Sequence, residues 1–222
     1  MHRIHYRFEV VLGLILLAVT FQLAAPPGDG ARLVAVILQA ATLVAAVVAS
    51  RAHRGVIMLA VVVAIVGVAG STAALIGTDE FWTASAVLVA LLYLILTPPA
   101  IVSGIVKQFR EEESVTMQTM FGVLCLYLLV GLLFAASFAA IQELSNDNFF
   151  RTGNGEADDF LYFSYQTLTT VGYGDLVPGT ELGRSMSIAE ALVGQIYLVT
   201  VVALIVGNLR PRRRGTAASA RD

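Results

Sequence analysis

Charge is scarce in this chain. Asp, Glu, Lys and Arg together make up 14% of the 222 residues, against 57% hydrophobic residues, too apolar a balance for an ordinary soluble domain. Lysine is almost missing, with Lys107 standing alone beside thirteen arginines. A net charge of −2 and the want of any basic patch interleaved with aromatics exclude a nucleic-acid surface. Cysteine occurs once, as Cys125 in an apolar run, which excludes an intrachain disulfide and a multi-thiolate metal site and leaves a small buried hydrophobe. No nucleophile and base pair, metal-ligand cluster or phosphate loop occurs, so neither an enzyme nor a bound cofactor is expected. His2, His5 and His53 are scattered and read as solvated surface residues.

Long apolar runs are what the chain does have. A hydrocarbon layer about 30 Å thick needs roughly 20 mostly apolar residues per helix. Runs near that length fall at 8–25, 33–49, 56–76, 81–96, 117–141 and 185–209. The first follows Arg3 and Arg7 as a signal peptide would, but Pro26-Pro27-Gly28 offers no small-x-small cleavage pattern, so a retained helix is expected. The fold class predicted is an all-α, multi-pass membrane protein with six transmembrane helices. Basic residues gather on the cytoplasmic side. With both termini there, in a plasma (inner) membrane, eleven of the fourteen Lys and Arg are cytoplasmic, leaving Arg32, Arg151 and Arg184 outside.

Breaks at Pro26-Pro27-Gly28, at 50–55, at 77–80 and at Pro98-Pro99 mark off a four-helix domain over residues 1–99. An amphipathic linker at 100–116 sets Ile101, Ile105, Val106 and Phe109 against Lys107, Arg110 and three glutamates, and is expected along the inner membrane surface. A second module, 117–209, comprises a long helix, a loop rich in Asn, Asp and Gly, a short apolar helix near 160–168, a glycine-bearing run and a last helix. A short basic tail, 210–222, follows. Asp158 and Asp159 are placed to cap the short helix.

The run Thr169-Thr170-Val171-Gly172-Tyr173-Gly174-Asp175 carries the chemistry. A dehydrated cation in a narrow passage needs oxygens in place of water, and backbone carbonyls supply them only where the backbone leaves helix and strand geometry. Gly172 and Gly174 admit φ values closed to other residues, so successive carbonyls can turn toward one axis, and the Thr170 hydroxyl adds an oxygen at the inner end.

This run, Thr170 to Asp175, resembles the signature of the tetrameric potassium channel family at every position. The segment before it resembles the family's pore helix, Gly183-Arg184 the start of its inner helix, and Gly194 its hinge glycine. The resemblance implies a re-entrant pore helix and selectivity-filter loop, and a ring of four chains, hence a four-fold symmetric homotetramer. It implies K+ binding by Thr170, Val171, Gly172 and Tyr173, with Gly174 completing the filter. Tyr162 and Phe163 stand where the family usually has two tryptophans, and Gln166 where some members have a glutamate. Carried over by position, Asp175 is expected to hydrogen-bond toward Tyr162 or Gln166, with Thr169 also supporting the filter.

Gating is read largely from absences. A voltage sensor needs repeated Arg or Lys on its fourth helix, because each charge moved through 100 mV yields about 2.3 kcal/mol; 81–96 has none. Strong voltage gating is not expected, nor is a soluble ligand sensor in the 13 residues after Leu209. Gly194 suits either a hinge or close helix packing. Gln195, Leu198, Val202 and Val206 recur at helical spacing and match the family's cavity positions; lipid-facing or interhelical packing is the alternative. Glu190 suits either a structural hydrogen bond or a pH sensor. Arg210, Arg212, Arg213 and Arg214 form a positive-inside stop signal that can also bind anionic lipid. The competing readings are a cation channel of the same fold that also passes sodium, and a non-conducting membrane subunit.

Overall fold

The structure is a computed structural model that describes residues 8–25, 28–74, 95–107, 117–144, 148–203 and 207. Its helices are α1 (Phe8–Ala24), α2 (Asp29–Ala49), α3 (Arg54–Ala74), α4 (Ile95–Lys107), α5 (Met117–Leu144), α6 (Ala157–Leu168) and α7 (Glu181–Ile196). α7 runs on into a π-helical segment, Tyr197–Val202. No strand occurs among the described residues, only isolated bridges from Phe150 to Gly153 and Pro178, so the all-helical expectation stands.

Among the described residues, Met117–Gln142, with a mean hydropathy of 2.5, is the stretch both long and apolar enough to cross a membrane. Phe8–Ala24, Leu33–Ala49 and Arg54–Ala69 are apolar but shorter. At about 1.5 Å per residue, the 21 residues of the whole of α2 and of α3 each reach about 30 Å. The expected fourth crossing, 81–96, lies outside the described residues except for its last two.

One expected break is absent. Backbone helical geometry continues through Pro98-Pro99, which fall inside α4. Proline within a helix costs about 3 kcal/mol, and burial offsets it: Ile101 is fully buried and Ala100 and Ile105 nearly so, all in one core with residues of α1, α2 and α5. The apolar side at Ile101 and Ile105 therefore faces protein rather than the membrane surface, while Val106 is exposed. Phe109 lies outside the described residues.

That core joins Phe8, Val11 and Ile15 of α1, Leu43 and Val47 of α2, and Val123, Cys125 and Leu129 of α5. Cys125 is buried, in keeping with its reading as a hydrophobe. At the helix crossing a Cβ on Gly104 would lie 2.8 Å from the Phe8 ring and from Ser50 Cα, so only glycine permits this approach. The connection from α2 to α3 puts Arg51 at φ 50°, and Lys107 Nζ donates to its carbonyl at 2.9 Å. His53 accepts from Gly55 N at 3.3 Å at the start of α3.

A second, aromatic core holds the loop between α5 and α6. Phe138, Phe149, Phe150, Phe160 and Phe163 pack with ring centroids 4.8–6.2 Å apart, in pairs worth about 0.5–1.5 kcal/mol each beyond burial. Gln142 clamps the backbone of Gly155, donating to its carbonyl at 3.0 Å and accepting from its amide at 2.8 Å. Arg151 N donates to Val177 O and Gly179 N to Phe149 O, at 2.9 and 2.7 Å. The loop between α5 and α6 is thus stitched to the segment that follows residue 175.

Candidate functional site

α6 begins at an N-cap that is neither of the expected aspartates. Glu156 occupies that position, and Asp159, three residues on, accepts from Glu156 N at 2.9 Å as one half of a capping box. Asp158 and Asp159 lie in the first turn instead, where negative charge still suits the helix's positive end. The buried face of α6 comprises Phe160, Leu161, Phe163, Ser164, Gln166 and Leu168. The helix ends at Thr169, whose amide and Oγ1 both donate to Tyr165 O, at 3.0 and 2.6 Å.

The chain then doubles back along its own helix. Thr170 N donates to Thr167 O at 3.0 Å, and the next two amides, Val171 and Gly172, donate to Gln166 O at 2.9 and 3.2 Å. Tyr173 N donates to Gln166 Oε1 at 3.0 Å. Three consecutive amides are therefore drawn to one glutamine. No peptide bond here is cis, and in a planar trans peptide the N–H and the preceding C=O point in opposite directions. The carbonyls of Thr170, Val171 and Gly172 consequently face away from α6. Alternating backbone sign makes this possible: Thr170, Gly172 and Gly174 have φ of 59, 55 and 82°, with Val171 and Tyr173 outside the positive region. The two glycines take the conformation expected of them. Thr170 takes it as well, although a β-branched residue there is strained.

Asp175 completes the brace. Tyr162 donates its hydroxyl to Asp175 Oδ2 at 2.9 Å, and Gln166 Nε2 reaches Oδ1 at 3.5 Å. The Tyr162 hydroxyl, followed by the backbone amides of Leu176 and Asp175 and by Gln166, holds the Asp175 carboxyl below the usual carboxylate range. Tyr162, Gln166, Thr169, Val171 and Tyr173 border a cavity of about 210 Å³ that Leu23 of α1 also touches. In the single chain Val171 and Tyr173 are 51% and 74% exposed.

The residues expected around a cavity and gate are only partly brought to this site. Gly194 lies on the buried side of α7, where an added Cβ would meet Leu168 O at 2.5 Å and Leu168 Cδ1 at 2.8 Å; close packing is what it visibly does. Gln195 and Leu198 are exposed. Val202 is described only in its backbone, and Val206 lies outside the described residues, as do Arg210, Arg212, Arg213 and Arg214. The spacing of these four positions presumes 3.6 residues per turn, which the π-helical winding of Tyr197–Val202 does not keep. Within that winding Thr200 Oγ1 donates to Ile196 O, and Tyr197 donates to Val123 O at 2.6 Å.

Two supporting tyrosines carry no motif signal. Tyr127 donates to Leu168 O at 3.2 Å and Tyr165 to Leu128 O at 2.8 Å, so hydroxyls from α5 and α6 each hold a carbonyl of the other helix. Ser164 lies between Gly131 of α5 and Glu190 of α7. A polar residue inside an apolar helical run is the signal that finds such positions, since buried polar groups require partners.

Comparison with known protein families places a match on the same segment. The family model described as "Ion channel" matches residues 122–210. The chain is 34% identical to two pore potassium channel a of Oryza sativa subsp. japonica over 46% of its own length and 26% of the relative's. It is 31% identical to an inward rectifier potassium channel of Paramagnetospirillum magnetotacticum over 43% of this chain and 31% of the relative. A delayed-rectifier potassium channel regulatory subunit of Homo sapiens is 34% identical over 38% of this chain and 17% of the relative. The matched part thus spans only about a sixth to a third of these relatives. The family model falls on the segment from α5 through α7, which doubles back at a glycine-bearing run, and over part of its length this chain is similar to potassium channels.

Proposed function

We propose that the chain is one subunit of a homotetrameric, potassium-selective channel that conducts K+ passively across the plasma (inner) membrane. The observation that carries this reading is the set of three consecutive amides bound by Gln166, which turns the carbonyls of Thr170, Val171 and Gly172 away from α6. A backbone so arranged has its donors used and its acceptors free, which is what a cation stripped of water requires. Four copies around an axis would surround K+ with the oxygens of Thr170, Val171, Gly172 and Tyr173, with Gly174 and Asp175 closing the outer end. Neighbouring copies would also cover Val171 and Tyr173, and the exposed apolar residues Leu192, Ile196 and Val199 of the last helix.

On this reading residues 1–99 form a four-helix domain without gating charges, 100–116 link it to the pore domain 117–209, and 210–222 form a basic tail open to anionic lipid. Six crossings leave both termini cytoplasmic. Opening would depend little on voltage. Gly194 would serve the last helix as packing surface or hinge, and Gln195, Leu198, Val202 and Val206 would border the inner cavity. Purified protein in liposomes with K+ on one side and Na+ on the other tests the reading: a reversal potential close to that of K+ supports it. A reversal near zero in the same gradient indicates a cation channel without selectivity. Absence of any current favours the competing reading of a non-conducting subunit, in line with the human relative, which is named a regulatory subunit.

A further inference from the structure

Among the described residues Glu190 is the one Asp, Glu, Lys or Arg side chain that is fully buried. It lies on α7 in a stripe with Gly183 and Gly194. Its Oε1 meets Ser164 Oγ of α6, and its Oε2 is buried with no partner. Ser164 Oγ is also 2.6 Å from Gly131 O of α5.

A serine hydroxyl carries one hydrogen, and a backbone carbonyl can only accept. The 2.6 Å contact with Gly131 O therefore uses the Ser164 hydrogen, and the contact with Glu190 needs a hydrogen from the carboxyl group. A carboxylate would set lone pairs against lone pairs at one of the two contacts. It would also leave a charged oxygen buried and unpaired, at several kcal/mol even after relaxation. The titratable groups facing Glu190 are Tyr127 on α5 and Tyr165 on α6. Both hydroxyls are already donated, to Leu168 O and Leu128 O, and no cation among the described residues pairs with it.

We infer that Glu190 is a positioning residue held as the neutral acid, donating to Ser164, which donates in turn to Gly131, so that one proton relay ties α7 to α6 and α5. One turn further along α7, Gly194 abuts Leu168 O, two residues before the filter begins at Thr170. The relay and this contact together fix α6 beneath the filter. Removing the proton sets acceptor against acceptor between α7 and α6. The loosened helix then no longer holds Gln166 against the filter amides; this last step rests on the function proposed above.

The experiment uses the full chain reconstituted in liposomes, with infrared difference spectroscopy, thermal melting and K+ flux each followed against pH. At neutral pH a carboxylic-acid C=O band is expected that is missing from Glu190→Gln and displaced in Ser164→Ala. Raising the pH removes the band, and lowers melting temperature and flux together, in the wild type. Glu190→Gln supplies an N–H in place of the acid O–H, so its melting temperature and flux are expected to lose this pH dependence. Ser164→Ala, which breaks the relay, lowers flux about tenfold at every pH, the size of one buried hydrogen bond left unmade. An ionised Glu190 at neutral pH overturns the inference. So does a band whose removal changes neither melting temperature nor flux, or a Glu190→Gln protein with the wild-type pH profile. A wild type that conducts nothing at any pH contradicts the proposed function instead, while band and melting still decide the relay. Should Glu190→Gln fail to fold, the displaced band and altered melting in Ser164→Ala decide it.

Discussion

The two ends of α5 are held in different ways. Toward its N-terminus α5 meets α1 and α4 through aliphatic and aromatic surface, in a core that holds Phe8, Ile15, Leu43 and Ile101, with polar ties such as Gln118 to Phe8 N and Glu9 at the edge. From Val123 onward, side-chain hydroxyls are also set against main-chain carbonyls: Tyr197 on Val123, Tyr165 on Leu128, Ser164 on Gly131 and Tyr127 on Leu168. Dispersion contacts are individually weak and not directional, so many arrangements of the first region score alike. Hydrogen bonds have direction. A stretch of backbone with no helix or strand partner of its own can be fixed in one orientation only by such bonds, and Thr170 to Gly174 is a stretch of that kind.

Substitutions on either side of this divide should fail differently. The largest effect is expected from Gly194→Val, because the obstacle to its Cβ is the main-chain oxygen of Leu168. Overpacking of this sort costs about 1–3 kcal/mol or more, and K+ flux should be abolished with a lowered yield of assembled protein. Gln166→Ala comes next: the Tyr173 amide loses its acceptor at about 1–3 kcal/mol, and K+ over Na+ selectivity should fall at least tenfold in reversal-potential measurements while the fold survives. Leu43→Ala, in the aliphatic region, should do the opposite, lowering the melting temperature by several degrees at ~2–4 °C per kcal/mol with selectivity unchanged. A loss of selectivity there would erase the distinction between the two regions.

The smallest effect concerns Asp175. Because its carboxyl is held below the ordinary range, it favours the folded form of the run before it at pH values above that range and loses this contribution only as pH falls through its own lower value. Flux should therefore be insensitive to external pH from neutral down to about 4, and Asp175→Asn should reduce open-state stability modestly, since the group is exposed and screened. A decline beginning near pH 6 would contradict the brace.

Legibility from sequence followed the same divide. Hydrophobic runs located the helices because apolar composition and length are local properties, and α1, α5 and α6 begin or end within a few residues of the runs that predict them. The run from Thr170 to Gly174 was legible because Gly172 and Gly174 are needed where φ is positive. What composition hides is partnership. Glu156 rather than Asp158 caps α6 because a reciprocal bond with Asp159 selects among three neighbouring acids. Pro98-Pro99 reads as a break until Ile101 and Ile105 are seen to be buried beside it. The π-helical winding at Tyr197–Val202 has no pattern of its own in an apolar run, and it alters which of Gln195, Leu198 and Val202 share a face. The phenylalanine cluster joins residues of α5, the loop and α6, a grouping that no periodicity within one element could reveal.

In the proposed channel the carbonyls turned away from Gln166 are ligands for a permeating cation. The most direct measurement is anomalous diffraction from crystals of the assembled protein grown in Tl+, which substitutes for K+. The account predicts a column of anomalous peaks on a four-fold axis between the Thr170 and Tyr173 carbonyls, lost in Gln166→Ala. A tetramer with an empty axis, or an assembly with no four-fold axis through these residues, would contradict it.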